Sequence, residues 1–329
     1  MTDTFEALRI VEAEGGGTRA EVARMTRDDL PDLPVLVEIS HSTVNYKDGL
    51  ALTGRGRIAR RLPMTAGIDL AGTVVESADP TFAPGDRVIA NGWGLSETEQ
   101  GAYSRFQRLN PDWLLPLPDG FTPEQAMAIG TAGYTAALSV QALTDWGTPQ
   151  GGAPVLVTGA AGGVGSVATA LLASLGHAVT AVTGRPETHD YLASLGASEF
   201  VARDDLTAAG KPLQDERWAG AVDVAGGHTL ANVLAQTCRG GAVAACGLAE
   251  GPGLPATVMP HILRGVALLG IDSVMAPRDR RLAAWDLLDR HLGRDLLATM
   301  YSVHGFDDLP ELARRIMANE LRGRVVVEI

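Results

Sequence analysis

Residues 155–185 read VLVTGAAGGVGSVATALLASLGHAVTAVTGR, and the fold follows from this stretch. An apolar run from Val155 enters a glycine cluster, a helical stretch follows, and a second apolar run stops at Arg185. Strand, glycine turn, helix and strand in that order form a mononucleotide-binding unit of a doubly wound parallel sheet. Gly159 begins the turn. At Gly162 and Gly163 the backbone can approach a pyrophosphate that a Cβ would repel, and Gly165 lets the helix pack closely on the strand. Val167, Leu171 and Leu175 recur at i, i+4 and i+8, a core-facing stripe. The first glycine of the usual G-x-G-x-x-G is Ala160 here, so the motif is degenerate. Its weight comes from the elements around it arriving in the right order.

The end of the second strand selects the dinucleotide. An NAD site places Asp or Glu about 20 residues past the glycine loop, where it accepts from the ribose 2′-hydroxyl. This chain has Thr183-Gly184-Arg185 there. Arg185 offers a planar cation suited to a 2′-phosphate, and Thr183 a hydroxyl. Arg203, after the third strand in FVARDD, is a second cation for the same phosphate. The expected cofactor is therefore NADPH. The bland alternative is that both arginines only face water or pair with Glu187 and Asp204.

Outward from this core the texture changes. Up to about residue 120 short strands such as VLVEISHSTVN, IDLAGTVVES and DRVIANG alternate with Gly/Pro punctuation, the pattern of a small β-rich domain. From TPEQAMAIGTAGYTAALSVQAL onward, helical segments alternate with the apolar strands PVLVTG, AVTAVTG, SEFVA, AVDVAG, GAVAACG and VALLGIDSV. The tail adds an amphipathic helix and the strand RVVVEI.

The bulk numbers agree with a two-domain globular chain. It has 329 residues, 46% hydrophobic and 20% charged. Lys and Arg total 27 against 39 Asp and Glu, a net charge of -12 that opposes a general affinity for nucleic acid or an anionic membrane. Cys238 and Cys246 match neither a zinc nor a disulfide framework, which fits a reducing compartment. The start, MTDTFEALRI, lacks the basic and apolar regions of a signal peptide, and no stretch reaches the roughly 18 apolar residues of a membrane span. The expectation is a soluble cytoplasmic protein.

Over its whole length the chain resembles the medium-chain dehydrogenase/reductase superfamily, and within it the acrylyl-CoA reductase branch of the quinone-oxidoreductase-like enzymes. The stretches that carry the resemblance include STVNYKDGLALTGRGRI, LPMTAGIDLAGTV, FAPGDRVIANGWGLSE, GTAGYTAALSV, VLVTGAAGGVGSVA, TVMPHILRGVALLGIDSV and NELRGRVVVEI. It implies an α/β chain: a GroES-like β-rich substrate domain over 1–124, completed by about 300–329, and a Rossmann NADPH-binding domain over 125–299. It also implies a homodimer through the strand VALLGIDSV.

Zinc-dependent members carry Cys where this chain reads VNYKD and a His-Glu pair near AGIDLAG. Tyr46 and Ile68-Asp69 stand at those places, so no zinc ligand set is expected. The resemblance further implies that Tyr46 lies beside the nicotinamide, and that Ala161, Gly162, Gly163 and Val164 meet the pyrophosphate. Thr183, Gly184, Arg185 and Arg203 fall to the adenosine phosphate. Leu248, Ile262, Ser273 and Asn319 fall around the ribose and nicotinamide, where ordinary core or a helix cap is the competing explanation.

The implied reaction is the reduction of acrylyl-CoA to propanoyl-CoA, with hydride to the β-carbon and a proton to the α-carbon. Tyr46 is the candidate proton donor or thioester-oxygen partner, beside Asn45, with water as the alternative proton source. Lys47 and Asp48 pair with each other or with neighbours, and Asp69 is a buried structural carboxylate bonded to backbone amides. Four arginines, Arg55, Arg57, Arg60 and Arg61, occupy seven positions. Either they form a solvated loop, or Arg57, Arg60 and Arg61 collar the phosphates of coenzyme A. Two rival readings stand beside the main one: an NADPH:quinone or enone reductase, and a non-catalytic NADPH-binding protein.

Overall fold

The computed structural model describes residues 4–148 and 152–329. The chain divides into two compact units, Met1–Thr131 with Leu297–Ile329, and Ala132–Leu296.

The second unit is built on the stretch quoted above. Val155–Val157, Val179–Thr183 and Trp218–Asp223 are short runs of small, branched and aromatic residues, and every one of their residues is buried. Burial on both faces is what a parallel sheet covered by helices requires. Six parallel strands run in the order Ala197–Ala202, Val179–Thr183, Val155–Val157, Trp218–Asp223, Thr237–Ala245, Ala267–Gly270. Numbered along the chain this is 3-2-1-4-5-6, the dinucleotide-binding order, with its switch point beside the strand that feeds the glycine turn. The helix Gly163–Ser174 buries Val167 and Leu171 completely, while Leu175 is its partly buried C-cap.

Two local features differ from a simple reading of the pattern. The helical stretch Pro123–Trp146 is interrupted. Gly130 takes φ 49°, ψ -162° and breaks it, and Thr131 restarts the helix with its N–H donated to Asp69 Oδ2 at 3.0 Å. The strand read from VALLGIDSV is Ala267–Gly270 only. Asp272 ends it locally, because its Oδ1 accepts from Val274 N (2.8 Å) and Met275 N (3.1 Å) and turns the backbone.

The first unit carries a seven-stranded sheet. Its order is Tyr301–Gly305, Arg324–Glu328, Val35–Thr43, Asp69–Ser77, Arg87–Asn91, Leu115–Pro116, with Phe106–Leu109 also on Val35–Thr43. Only the pair Tyr301–Gly305 with Arg324–Glu328 is parallel. The N-terminal hairpin Phe5–Glu12 and Thr18–Met25, with Met64–Thr65, makes a second sheet.

The C-terminal segment belongs to this unit's core. Leu309, Leu312, Val325 and Val327 join Leu8, Ile10, Leu52 and Met64 in one buried cluster. Each such side chain contributes roughly 1.5–3 kcal/mol by leaving water. The helix Leu309–Met317 lies so close to the helix Tyr46–Leu52 that a Cβ on Gly49 would meet Ile316 Cγ2 at 2.6 Å. Among the described residues no helix is long and apolar enough to cross a membrane.

Candidate functional site

In the second unit the glycine turn is shaped by contacts that exclude side chains. Gly159 has φ +57°, and a Cβ there would sit 2.5 Å from Val224 Cγ2. A Cβ on Gly165 would lie 2.4 Å from the Gly159 carbonyl oxygen and 2.6 Å from Ala160 Cα, so only glycine allows this helix to start against this turn. Ala160 and Ala161 are buried, whereas Gly162, Gly163 and Val164 are half-exposed. Gly162 is the N-cap and supplies no side-chain acceptor for the first helical N–H groups. A bare, half-exposed start of a 12-residue helix fits a pyrophosphate, whose oxygens would accept from those amides.

The end of the next strand gathers the residues expected at the adenosine phosphate. Thr183 is buried, and its Oγ1 accepts from Arg185 N at 3.1 Å. Thr188 Oγ1 donates to the Arg185 carbonyl at 2.6 Å, which fixes the backbone through Arg185. Arg203 N donates to the Thr183 carbonyl at 3.0 Å, and the Arg203 guanidinium lies on Gly184, whose Cβ would be 3.0 Å from Arg203 Cζ. Gly184 is thus the residue over which the cation can lie flat. Arg203 also pairs with Asp204 at 3.3 Å, but those side chains are 63% and 83% exposed. Such a pair is worth about 0–1 kcal/mol and yields readily to a phosphate.

The remaining expected cofactor residues are more scattered in character. Leu248 is 61% and Ile262 72% exposed, unusual for large apolar side chains. Ser273 is half-buried in the turn after the last strand of the parallel sheet. Asn319, in the first unit, takes φ +58° just past the helix Leu309–Met317, a left-handed C-terminal cap position that Asn tolerates. That geometry accounts for Asn319 without a ligand.

In the first unit Tyr46 opens the helix Tyr46–Leu52 and is 44% exposed. Beneath it lies a buried polar cluster. Asn45 N and Nδ2 donate to Asp48 Oδ2 at 2.9 and 3.2 Å, and Asn45 Nδ2 also reaches Asp69 Oδ2 at 2.7 Å. Asp69 is fully buried and accepts in addition from Asn91 Nδ2 (2.6 Å), Thr131 Oγ1 (2.6 Å) and Thr131 N (3.0 Å). The sequence reading had backbone amides around Asp69. One is present, and the other donors are side chains.

Arg324, 3% exposed, donates to Thr43 Oγ1 (2.7 Å) and to the carbonyls of Ala128 (3.1 Å) and Val44 (3.4 Å). A Cβ on Gly130 would strike Arg324 Nη2 at 2.7 Å, so the helix break also makes room for the guanidinium. Burial pushes the Asp48 carboxyl up to about 7; the bonds from Asn45 oppose this and the charge of Asp69 adds to it. Burial likewise lifts the Tyr103 hydroxyl well above its ordinary range, and that hydroxyl donates to the Thr43 carbonyl at 3.0 Å. Of this cluster the sequence reading singled out Asp69 as buried; Arg324, Asn91, Thr131 and Tyr103 went unnoticed. The available signal was the presence of charged residues inside the apolar runs AGIDLAG and GRVVVEI.

The arginine loop splits into two pairs. Arg60 Nε reaches Glu97 at 3.4 Å, and Arg61 reaches Glu99 at 3.2 Å and the Thr98 carbonyl at 2.6 Å. Lys47 meets the same Glu97 at 2.5 Å, so it pairs with a neighbour rather than with Asp48. Arg55 and Arg57 are exposed, and among the described residues no carboxylate pairs with either.

Comparison with known proteins places these features in a family. Residues 31–119 match the alcohol dehydrogenase GroES-like domain, and residues 163–290 the zinc-binding dehydrogenase domain. Acrylyl-CoA reductase AcuI of Ruegeria pomeroyi is 53% identical over 99% of both chains. The putative quinone oxidoreductase YhfP of Bacillus subtilis is 44% identical over the full length of both. The solved structure of the yhdH oxidoreductase of Salmonella enterica in complex with NADP superposes with a TM-score of 0.96 at 47% identity, covering 98% of this chain and 99% of that one.

Proposed function

The chain belongs to the zinc-free medium-chain dehydrogenase/reductases, in their acrylyl-CoA reductase branch, and we propose that it is an NADPH-dependent reductase of acrylyl-CoA that yields propanoyl-CoA. One observation carries the cofactor half of this reading. A glycine turn with a bare N-cap at a helix start is followed, at the end of the next strand, by a glycine on which the Arg203 guanidinium lies. The substrate half rests on near full-length likeness to two relatives named as acrylyl-CoA reductases, at 53% and 47% identity.

In this reading Ala161 to Val164 hold the pyrophosphate, and Thr183, Gly184, Arg185 and Arg203 hold the 2′-phosphate. Leu248, Ile262, Ser273 and Asn319 flank the ribose and nicotinamide. When bound, NADPH supplies the hydride that reaches the β-carbon of the enoyl thioester. The chain's own groups then have two tasks, to stabilise the charge that develops on the thioester oxygen and to bring a proton to the α-carbon. Tyr46, half-exposed and carried on a helix start pinned from below, is the group assigned to them, with water as the alternative proton source. Asn45 is given no direct part, because its NH2 group donates to Asp48 and Asp69 and the residue is only 7% exposed.

Arg57, Arg60 and Arg61 are assigned to the phosphates of coenzyme A. Among the described residues Arg57 has no carboxylate pair to break, and Arg60 and Arg61 keep 64% and 65% of their side chains exposed while bonded to their glutamates. The strand Ala267–Gly270, which among the described residues is paired on one side only and carries the exposed Leu268, is assigned to a homodimer contact, and the enzyme to the cytoplasm.

The test is to follow loss of NADPH absorbance with acryloyl-CoA, crotonyl-CoA and a quinone. Acryloyl-CoA is expected to give the highest kcat/KM. Preference for the quinone would make the protein a quinone reductase, and no turnover with any acceptor would leave an NADPH-binding protein without catalysis.

A further inference from the structure

A buried guanidinium in the second unit is used by none of these assignments. Arg281 lies in the first turns of the helix Arg278–His291 and is 2% exposed. Its Nε donates to the Ala276 carbonyl at 2.8 Å, and its Nη2 to the carbonyls of Val274 at 2.6 Å and Ser273 at 3.3 Å. Its Cζ stands 5.3 Å from the ring centroid of buried Tyr134, within cation–π range. From the other side, Asp272 Oδ1 accepts the amides of Val274 and Met275.

The short segment after the last strand of the parallel sheet is therefore gripped twice, its carbonyls by Arg281 and its amides by Asp272. Taking a guanidinium out of water carries a large desolvation penalty, and an apolar side chain of similar volume would fill the same space without it. What an apolar residue could not do is hold three consecutive-turn carbonyls in one orientation, which the planar fork of arginine does.

We propose that Arg281 is a positioning residue for the nicotinamide end of the cofactor: by fixing the carbonyls of Ser273, Val274 and Ala276 it sets where the Ser273 segment meets the nicotinamide and its ribose. The proposal rests on the reading that places Ser273 at that end of NADPH. Arg281 touches neither cofactor nor substrate in this arrangement and acts through the turn.

The experiment compares two ligands on the full-length protein. NADPH spans the whole site, whereas adenosine 2′,5′-bisphosphate carries the 2′-phosphate end without the nicotinamide. Arg281→Met keeps the volume and removes the fork, and Arg281→Lys, which keeps a cation but cannot span three carbonyls, is measured in parallel in case the first variant folds poorly. Both are expected to raise the Kd for NADPH about tenfold and to leave that for adenosine 2′,5′-bisphosphate within twofold of wild type. A rise in both constants by the same factor would mean general loosening of the unit, and no rise in either would mean the turn holds without Arg281; each result overturns the proposal. Ser273→Ala separates this from its premise. If it leaves NADPH affinity untouched while Arg281→Met weakens it selectively, the Ser273 side-chain assignment fails and the positioning role of Arg281 stands through the backbone of the turn.

Discussion

Replacing Asp48 by Asn should change how the stability of the protein depends on pH, and the buried cluster below Tyr46 gives both the direction and the size. The Asp48 carboxyl is raised from 3.8 to about 7, first by burial, against the bonds from Asn45 and the charge of Lys47, and with help from the charge of Asp69. The folded protein therefore binds this proton more tightly than the unfolded chain does. Between pH 4 and pH 7 the native state holds more protons at this site, so its contribution is fully present below about pH 4 and lost as pH rises through 7.

A shift of about 3 units at about 1.36 kcal/mol each makes the loss about 4 kcal/mol as an upper bound. Asn cannot titrate, yet its amide oxygen can still accept from Asn45 N in place of Asp48 Oδ2. Its NH2 group takes the position of Asp48 Oδ1, which accepts no hydrogen bond within ordinary geometry among the described residues. Urea unfolding of wild type and Asp48→Asn at pH 5, 6, 7 and 8 reads the effect as a difference, in which the other titrating groups cancel. The variant should gain on the wild type from pH 5 to pH 7, by up to about 2.7 kcal/mol (two pH units at about 1.36 kcal/mol each), and the difference should level off between pH 7 and pH 8. Parallel curves would show that Asp48 is ionised in the folded state throughout, and the account of the cluster would be wrong.

Three further outcomes follow from the same geometry. Gly130→Ala combines a glycine-only backbone conformation with a methyl 2.7 Å from Arg324 Nη2 and Thr43 Cγ2, and it should lower unfolding stability by about 2–5 kcal/mol; a loss below 1 kcal/mol on urea titration would contradict the packing described. Arg203→Ala and Arg185→Ala each remove one charge-assisted contact of about 1.5–3 kcal/mol, so each should raise KM for NADPH about 10- to 100-fold and leave KM for NADH nearly unchanged. Equal effects on both nucleotides would place the arginines away from the 2′-phosphate. Arg57→Ala with Arg60→Ala should raise KM for the CoA thioester more than tenfold without altering NADPH affinity, and an unchanged KM would return the loop to solvent.

The sequence disclosed the parts of this fold that are local. Val155 to Arg185 names a strand, a turn, a helix and a strand because each signal lies within one element, and the contacts that demand Gly165 reach only Gly159 and Ala160, although the one that demands Gly159 comes from Val224. The cation at the second strand's end was legible for the same reason: Arg203 lies one strand later, and parallel neighbours in this sheet align their ends. The polar cluster was not legible. Asn45 meets Asp69 across 24 residues, Asp69 meets Thr131 across 62, and Arg324 meets Thr43 across 281, and no periodicity links positions so far apart. The helix break at Gly130 escaped notice because a single glycine in an apolar helical pattern is often tolerated. Here it is decided by Asp69 capping the restart, a long-range contact that outweighs local propensity.

That cluster explains how a seven-residue helix can carry Tyr46 at a defined place. A helix of this length is marginal by itself, since nucleation is unfavourable and few hydrogen bonds are returned. Its order must come from outside the helix. Two sources are present: the close contact of Gly49 with Ile316 on one side, and the bonds that Asn45 donates to Asp48 and Asp69 at the start. The second source fixes the N-terminal turn, which is where Tyr46 stands. Asp69 is held in turn by Asn91 and Thr131, and Arg324 lies against the same Gly130 break. The charge of two carboxylates at this depth would be prohibitive unless offset, and Arg324 together with the proton retained on Asp48 offsets it. Tyr46, 44% exposed and proposed to face the substrate, is thereby anchored to groups that see almost no water, so a change at Asp69 or Arg324 should register at Tyr46 although neither reaches the surface.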